Sequence, residues 1–198
     1  MSVEDTSTRE NFFNKKNEIE YLLSSLGMAN SEYKLRMEAF KQEQVLNVYL
    51  KDENTDWTLA RTYPFCEFSG ELGPKIREGD RQIPEGIYKV TVFNPKSKFY
   101  LSLGLDYPNK RDLLLADPND PGSDIYIHGG CQTEGCIPIT DEKIAELYLL
   151  AKSASSGVEV AILPFEQTMP NLEKYYQSHP QWKFFWEKLF TDVRGLRN

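Results

Sequence analysis

Several things are scarce in this chain of 198 residues. No apolar run approaches the roughly 20 residues that cross a bilayer as a helix, so no transmembrane segment is expected. Positive charge is in deficit: 23 Lys and Arg stand against 30 Asp and Glu, for a net charge of -7. A general nucleic-acid binder needs a basic surplus to neutralise phosphates, so nucleic acid is not an expected partner. Cysteine is limited to three residues, too few for a disulfide framework. The odd number leaves at least one free thiol unless chains cross-link. Histidine occurs only twice. There are no internal repeats and no low-complexity segment. Residues 1–10 are polar and acidic, unlike a secretory signal. Two expectations stay open: a cytosolic chain, or one from which a signal has been removed.

What is plentiful is aromatic: eleven Tyr, eleven Phe and three Trp. With 40% hydrophobic residues this favours a packed fold over disorder. The length suits one sizeable domain, or a small domain with helical additions.

Residues 9–41 read as helical. Phe12, Phe13, Ile19, Leu22, Leu23 and Leu26 recur near helix spacing, and charged residues fill the other faces. Gly27 and Asn30-Ser31 offer a break and a fresh N-cap before a second helix, Glu32–Gln42. From Val45 the pattern turns strand-like. Val45–Leu50, a turn at Asp52–Asn54 and Trp57–Phe65 suggest a hairpin. A long loop runs from Ser69 to Asp80. Strands follow at Ile87–Phe93 and Phe99–Leu105, separated by a turn at Asn94–Ser97, and a short strand at Ile125–Ile127 delivers His128. Thr140 is the expected N-cap of a helix with the apolar stripe Ile144, Leu147, Tyr148 and Ala151. Gly157 closes that helix, and Val158–Leu163 is a final strand. The tail 170–193 is helical and rich in Tyr, Trp and Phe. Its expected role is packing on its own domain, with a partner or membrane-surface role as the alternative. The sum is an α+β chain.

The chemistry concentrates between Ile125 and Ile139. This stretch holds His128 and two of the three cysteines, Cys131 and Cys136, around Gly129, Gly130 and Gly135. A thiol can attack a carbonyl while an imidazole takes its proton. Glycines let a substrate approach the backbone. Cys136 is expected at the mouth of a helix, whose positive end would favour thiolate. The N–H groups of Gly135 and Cys136 are expected to be free for an oxyanion. Other readings of the same residues stand beside this one. Cys136 and His128 could be ordinary buried groups. His128, Cys131 and Cys136 could bind zinc with Cys66 or His179 as a fourth ligand. Cys131 and Cys136 could form a disulfide.

Several blocks in order resemble the YkuD-type L,D-transpeptidase catalytic domain, in particular its murein transpeptidase-like branch. They are Tyr63–Lys75, Glu78–Tyr88, Asn94–Phe99, His128–Cys131 and Thr133–Cys136, followed by Ile139–Asp141. The resemblance covers about residues 44–163. It implies three segments: a helical arm over 1–43, the catalytic domain over 44–163 and an aromatic helical extension over 164–198. It implies a β-rich, sandwich-like core with flanking helices. Cys136 would be the nucleophile and His128 its base, with the Gly129 carbonyl orienting the imidazole. Thr133 falls where the family has Ser or Thr ahead of Gly-Cys, and Gly135 would support the oxyanion. Arg81 lies in a matching block and is the expected contact for a substrate carboxylate; Lys75, Arg77, Lys110 and Arg111 are expected to be solvated.

The implied reaction is acyl transfer on peptidoglycan stem peptides through a thioester, needing no cofactor and no metal. An amine from another stem or from a protein acceptor would resolve the thioester. Water would give hydrolysis instead, as in a carboxypeptidase or an amidase. A peptidoglycan-binding module without turnover is the non-enzymatic alternative. The implied location is the bacterial envelope or periplasm. Two positions depart from many relatives: Glu134 stands where His commonly precedes Gly-Cys, and Pro138 where Arg or Asn commonly follows. A Glu134 carboxylate close to the thiol would raise its pKa.

Overall fold

The computed structural model describes residues 15–197. The expected α+β architecture is present. Helix α1 covers 15–25 and buries Ile19 and Leu22. Gly27, in the left-handed region at φ 75°, ends it as expected. Phe12 and Phe13 of the expected helix, with the rest of 9–14, lie outside the described residues.

The second expected helix, Glu32–Gln42, is instead mostly strand β1, Lys34–Phe40. Leu, Arg, Met, Glu and Ala are good helix formers, so local preference points the wrong way. Tertiary pairing overrides it. β1 lies between β2 (Val45–Lys51) and β8 (Glu159–Leu163), antiparallel to the first and parallel to the second. Six of its seven residues are buried, so no alternation marks it. Its charges are paired. Glu38 takes two hydrogen bonds from Arg197, at 2.9 and 2.6 Å. The Arg36 guanidinium stacks on Tyr49 and Trp57.

The predicted hairpin is there: β2 pairs antiparallel with β3 (Thr58–Pro64). β4 runs Gly86–Ser97, so the turn expected at Asn94–Ser97 is displaced to residues 98–99, ahead of β5 (Tyr100–Leu105). β6 is Tyr126–His128 and β7 is the two-residue strand Ile137–Pro138. The strand order is β3-β2-β1-β8-β4-β5-β6-β7. β4 pairs β8 through Gly86–Lys89 and β5 from Val90 onward, so one long strand serves both halves of the sheet.

Helix α2, Asp141–Ser153, buries Ile144, Leu147, Tyr148 and Leu150 against the sheet. Its backbone starts at Thr140 as expected, but the Thr140 hydroxyl makes no cap bond, and the helix stops at Ser153, ahead of Gly157. The aromatic tail is two helices, α3 (Met169–Ser178) and α4 (Lys183–Leu196). They are parted around Pro180, which has no N–H to continue a helix. Trp186, Leu189, Phe190 and Val193 pack with Phe165 and Tyr175 over Phe40, Ala161 and Leu163. The tail therefore covers its own domain, as expected. No described helix is long and apolar enough to cross a membrane.

A buried polar cluster ties this tail to the connection between β3 and β4. The Trp186 indole N–H donates to Glu85 at 2.6 Å. Glu85 also accepts the Gly73 N–H at 2.7 Å and pairs with Lys41 at 3.1 Å. The Lys41 ammonium is wholly buried and donates to the carbonyls of Gly73 and Ile83. Burial pushes its pKa down, and the Glu85 carboxylate opposes that.

Candidate active site

β6 and β7 bring the sequence-predicted residues together at one edge of the sheet. They pair in parallel, Ile127 with Ile137 and His128 with Pro138. Ile127 and Ile137 enter the core. Side chains alternate across a strand, so His128 and Tyr126 face the other way; Cys136 is the residue just before β7, with its thiol against the Tyr126 backbone and the Asp124 carbonyl.

The imidazole is held by two contacts. His128 Nδ1 is hydrogen-bonded to the Gly129 carbonyl, the contact expected for an orienting group. As the carbonyl can only accept, Nδ1 carries the proton and Nε2 is the basic nitrogen. The Phe99 ring stacks on the imidazole at 4.6 Å. Burial pushes the His128 pKa below its usual value, against the Gly129 bond, so the neutral ring is favoured. Nε2 is buried and has no partner among the described residues. The same holds for the hydroxyl of Ser102, the residue directly opposite His128 on β5.

The Gly129-Gly130 turn is fixed by a residue to which sequence reasoning gave no role. Asp141, the first residue of α2, accepts the Gly130 N–H at 2.7 Å. A Cβ on Gly129 would strike the Asp141 carboxylate and the Phe99 carbonyl, so only glycine fits. Asp141 ends a matching sequence block, but its distance from Gly130 along the chain hides the contact.

Cys136 is half-buried and is the free cysteine among the described residues. The helix expected to start beside it begins five residues later, after β7, so no helix dipole acts on the thiol. Burial raises its pKa instead. The Tyr126 backbone and the Lys75 ammonium work against that rise, and the Asp124 carboxylate adds to it. The acid that bears on the thiol is thus Asp124 rather than Glu134. Its carbonyl also accepts the Cys136 S–H at 3.5 Å. Lys75, expected to be solvated, is buried and paired with Asp80 at 2.7 Å.

The other two cysteines are joined to each other: Cys66 and Cys131 form a disulfide with Cα atoms 5.4 Å apart. This overturns a Cys131–Cys136 bridge. It also removes both sulfurs from the zinc set considered above. No group of three His, Cys, Asp or Glu residues arranged to hold a metal occurs among the described residues.

Hydroxyls surround the backbone of the nucleophile. Thr133 accepts the Cys136 N–H at 2.9 Å and donates to the Cys136 carbonyl at 2.8 Å. Ser69 accepts the Gly135 N–H at 2.8 Å. The two N–H groups expected to be free are therefore both occupied. Gly135 has φ 114°, and a Cβ there would lie 2.9 Å from the Gln82 carbonyl. Arg81, the neighbour of Gln82, is exposed and left-handed at φ 59°. Its backbone lies beside Gly135, which places it next to the nucleophile's turn.

This arrangement can be compared with known proteins. The family model described as "L,D-transpeptidase catalytic domain" (YkuD) matches residues 36–162. The chain belongs to the YkuD family. The match begins within β1 and ends within β8, so the YkuD region spans the strand order apart from the start of β1 and the last residue of β8. The Escherichia coli (strain K12) protein named "Putative L,D-transpeptidase YafK" is 32% identical over 179 residues, covering 84% of this chain and 70% of that one. Among solved structures, the helical cell shape determining protein Pgp2 from Campylobacter jejuni superposes with a TM-score of 0.55 at 21% identity. That match covers 74% of this chain and 55% of Pgp2, so this chain spans little more than half of that protein. The K307A mutant of Pgp2 gives a TM-score of 0.56 at 20% identity, covering 90% of this chain and 65% of that one. These two likenesses establish a shared fold. YkuD membership places this chain with the L,D-transpeptidase catalytic domains.

Proposed function

We propose that this chain performs acyl transfer on peptidoglycan stem peptides through a thioester on Cys136. The observation that carries the reading is His128. Its Nδ1 proton is committed to the Gly129 carbonyl, which leaves a buried, unpartnered Nε2 on β6, the strand that pairs with the residues directly after Cys136. The Cys136 thiol leaves the Asp124 carbonyl by rotation about its Cα–Cβ bond and gives its proton to Nε2. The thiolate then attacks the carbonyl of the third stem residue, and the terminal D-residue departs with the proton from His128. An amine from a second stem or from a protein acceptor resolves the thioester as a cross-link; water resolves it as hydrolysis. Arg81 is the proposed contact for a stem carboxylate, because its backbone lies against the turn before the nucleophile.

We place the protein in the bacterial envelope or periplasm, where its substrate lies. The Cys66–Cys131 disulfide supports this, because such bonds persist in oxidising compartments.

The test is incubation with a tetrapeptide stem followed by intact-mass analysis of the protein and chromatography of the products. Wild type is expected to carry an acyl adduct that Cys136→Ala lacks while staying folded. An adduct that persists in Cys136→Ala overturns the assignment. A cross-linked dimer identifies transpeptidation, and a shortened or released stem identifies hydrolysis.

A further inference from the structure

We infer that the oxyanion formed during acylation is held by the hydroxyl of Ser69, a residue on the β3–β4 connection and 66 positions before Gly135. The inference rests on the thioester reading above and adds to it the group that stabilises the charge.

The argument is an accounting of protons around the nucleophile. A tetrahedral adduct needs donors aimed at its oxygen. The nearest backbone donors, the N–H groups of Gly135 and Cys136, are both given to hydroxyl oxygens. Each hydroxyl has one proton of its own to pass on. Thr133 has already spent its proton on the Cys136 carbonyl at 2.8 Å. Ser69 has not: it accepts from Gly135, and its proton meets no acceptor among the described residues. Ser69 is nevertheless buried, at 7% exposure. A buried hydroxyl that accepts an N–H becomes a better donor, because successive hydrogen bonds polarise one another. Ser69 thus carries a polarised, uncommitted proton one residue from Cys136.

Its position is fixed from both sides. A Cβ on Gly70, the next residue, would meet Gln82 Oε1 at 2.5 Å and the Arg81 carbonyl at 2.8 Å, and the Gln82 side chain accepts the Glu71 N–H at 2.9 Å. Gln82 in turn abuts Gly135. The donor is therefore preorganised, as electrostatic stabilisation requires.

The step balances. The thiolate sulfur bonds to the acyl carbon, and the C=O π pair moves onto oxygen, where the Ser69 O–H meets it. When the pair returns, the bond to the leaving amine breaks, and that amine takes the proton held on His128. Ser69 keeps its proton throughout.

The test separates a charge-stabilising role from a role in holding the turn. Two reagents are used on the full chain: p-nitrophenyl acetate, which passes through an oxyanion at Cys136, and iodoacetamide, which alkylates the same sulfur without one. Modification at Cys136 is confirmed by its loss in Cys136→Ala. Ser69→Thr and Ser69→Val have the same shape and differ in the hydroxyl, so a packing defect affects both alike. Acylation of Ser69→Val is expected to fall about 10²- to 10³-fold below that of Ser69→Thr, with alkylation rates equal within about 2-fold. Ser69→Ala is expected to behave as Ser69→Val does. Equal acylation by Thr and Val, or parallel losses in acylation and alkylation, overturns the inference. A wild-type chain that p-nitrophenyl acetate does not acylate overturns it as well. If that ester reacts and stem tetrapeptides do not, the stem-peptide reading falls and the assignment of Ser69 stands.

Discussion

The buried polar cluster around Lys41 and the one around His128 are finished differently. In the first, Lys41, Glu85 and Trp186 satisfy one another and the backbone of the β3–β4 connection. Both Glu85 oxygens accept hydrogen bonds, and the Lys41 ammonium reaches two carbonyls and a carboxylate. In the second, around His128, two groups are left over: Nε2 and the Ser102 hydroxyl are buried with no partner among the described residues. A buried polar group without a partner costs stability. The first cluster does the work of a joint, holding the C-terminal helices to the loop that carries Ser69. The second leaves a buried acceptor empty. The first arrangement suits a joint; the empty Nε2 is what the proposed acyl transfer requires.

That contrast can be broken in three places. The largest effect is expected at His128. Replacing it with Gln keeps a polar side chain but removes the base, and adduct formation with a tetrapeptide stem should fall about 10²- to 10⁴-fold by quenched-flow mass analysis. Thermal stability should change little by comparison. Next is Lys41→Met, which leaves the Glu85 carboxylate buried without its cation. Urea unfolding should show a loss of about 3–5 kcal/mol, and adding Glu85→Gln should recover part of it. The smallest effect is expected at Ser102. Ser102→Ala removes a hydroxyl that has no partner, so stability should stay level or rise by about 1 kcal/mol. A loss larger than that would mean the hydroxyl is satisfied in solution, and the contrast between the two clusters would weaken.

The β2–β3 hairpin was legible in the sequence because its residues alternate and a polar turn separates them. The His128–Gly129 contact was legible through family resemblance, since the glycine pair follows the histidine directly. β1 was hidden. Its side chains favour helix, and burial on both faces erases the alternation that would have revealed a strand. The electrostatics of Cys136 were misread for a related reason. The helix signal at Thr140 is real, but β7 intervenes, and two residues of strand carry no pattern of their own. The Cys66–Cys131 pairing, the approach of Asp124 to the thiol and the Ser69–Gly135 bond all join positions far apart in the chain or across turns. Spacing alone does not encode such contacts.

β8 has a consequence for how the molecule comes into being. Among the described strands it is the last made, and it sits in the middle, with the hairpin and β1 on one side and β4 to β7 on the other. Until residues 159–163 have been synthesised, the sheet exists only as two unjoined pieces. A chain whose closing strand comes so late folds through distant pairings and stays extensible for longer.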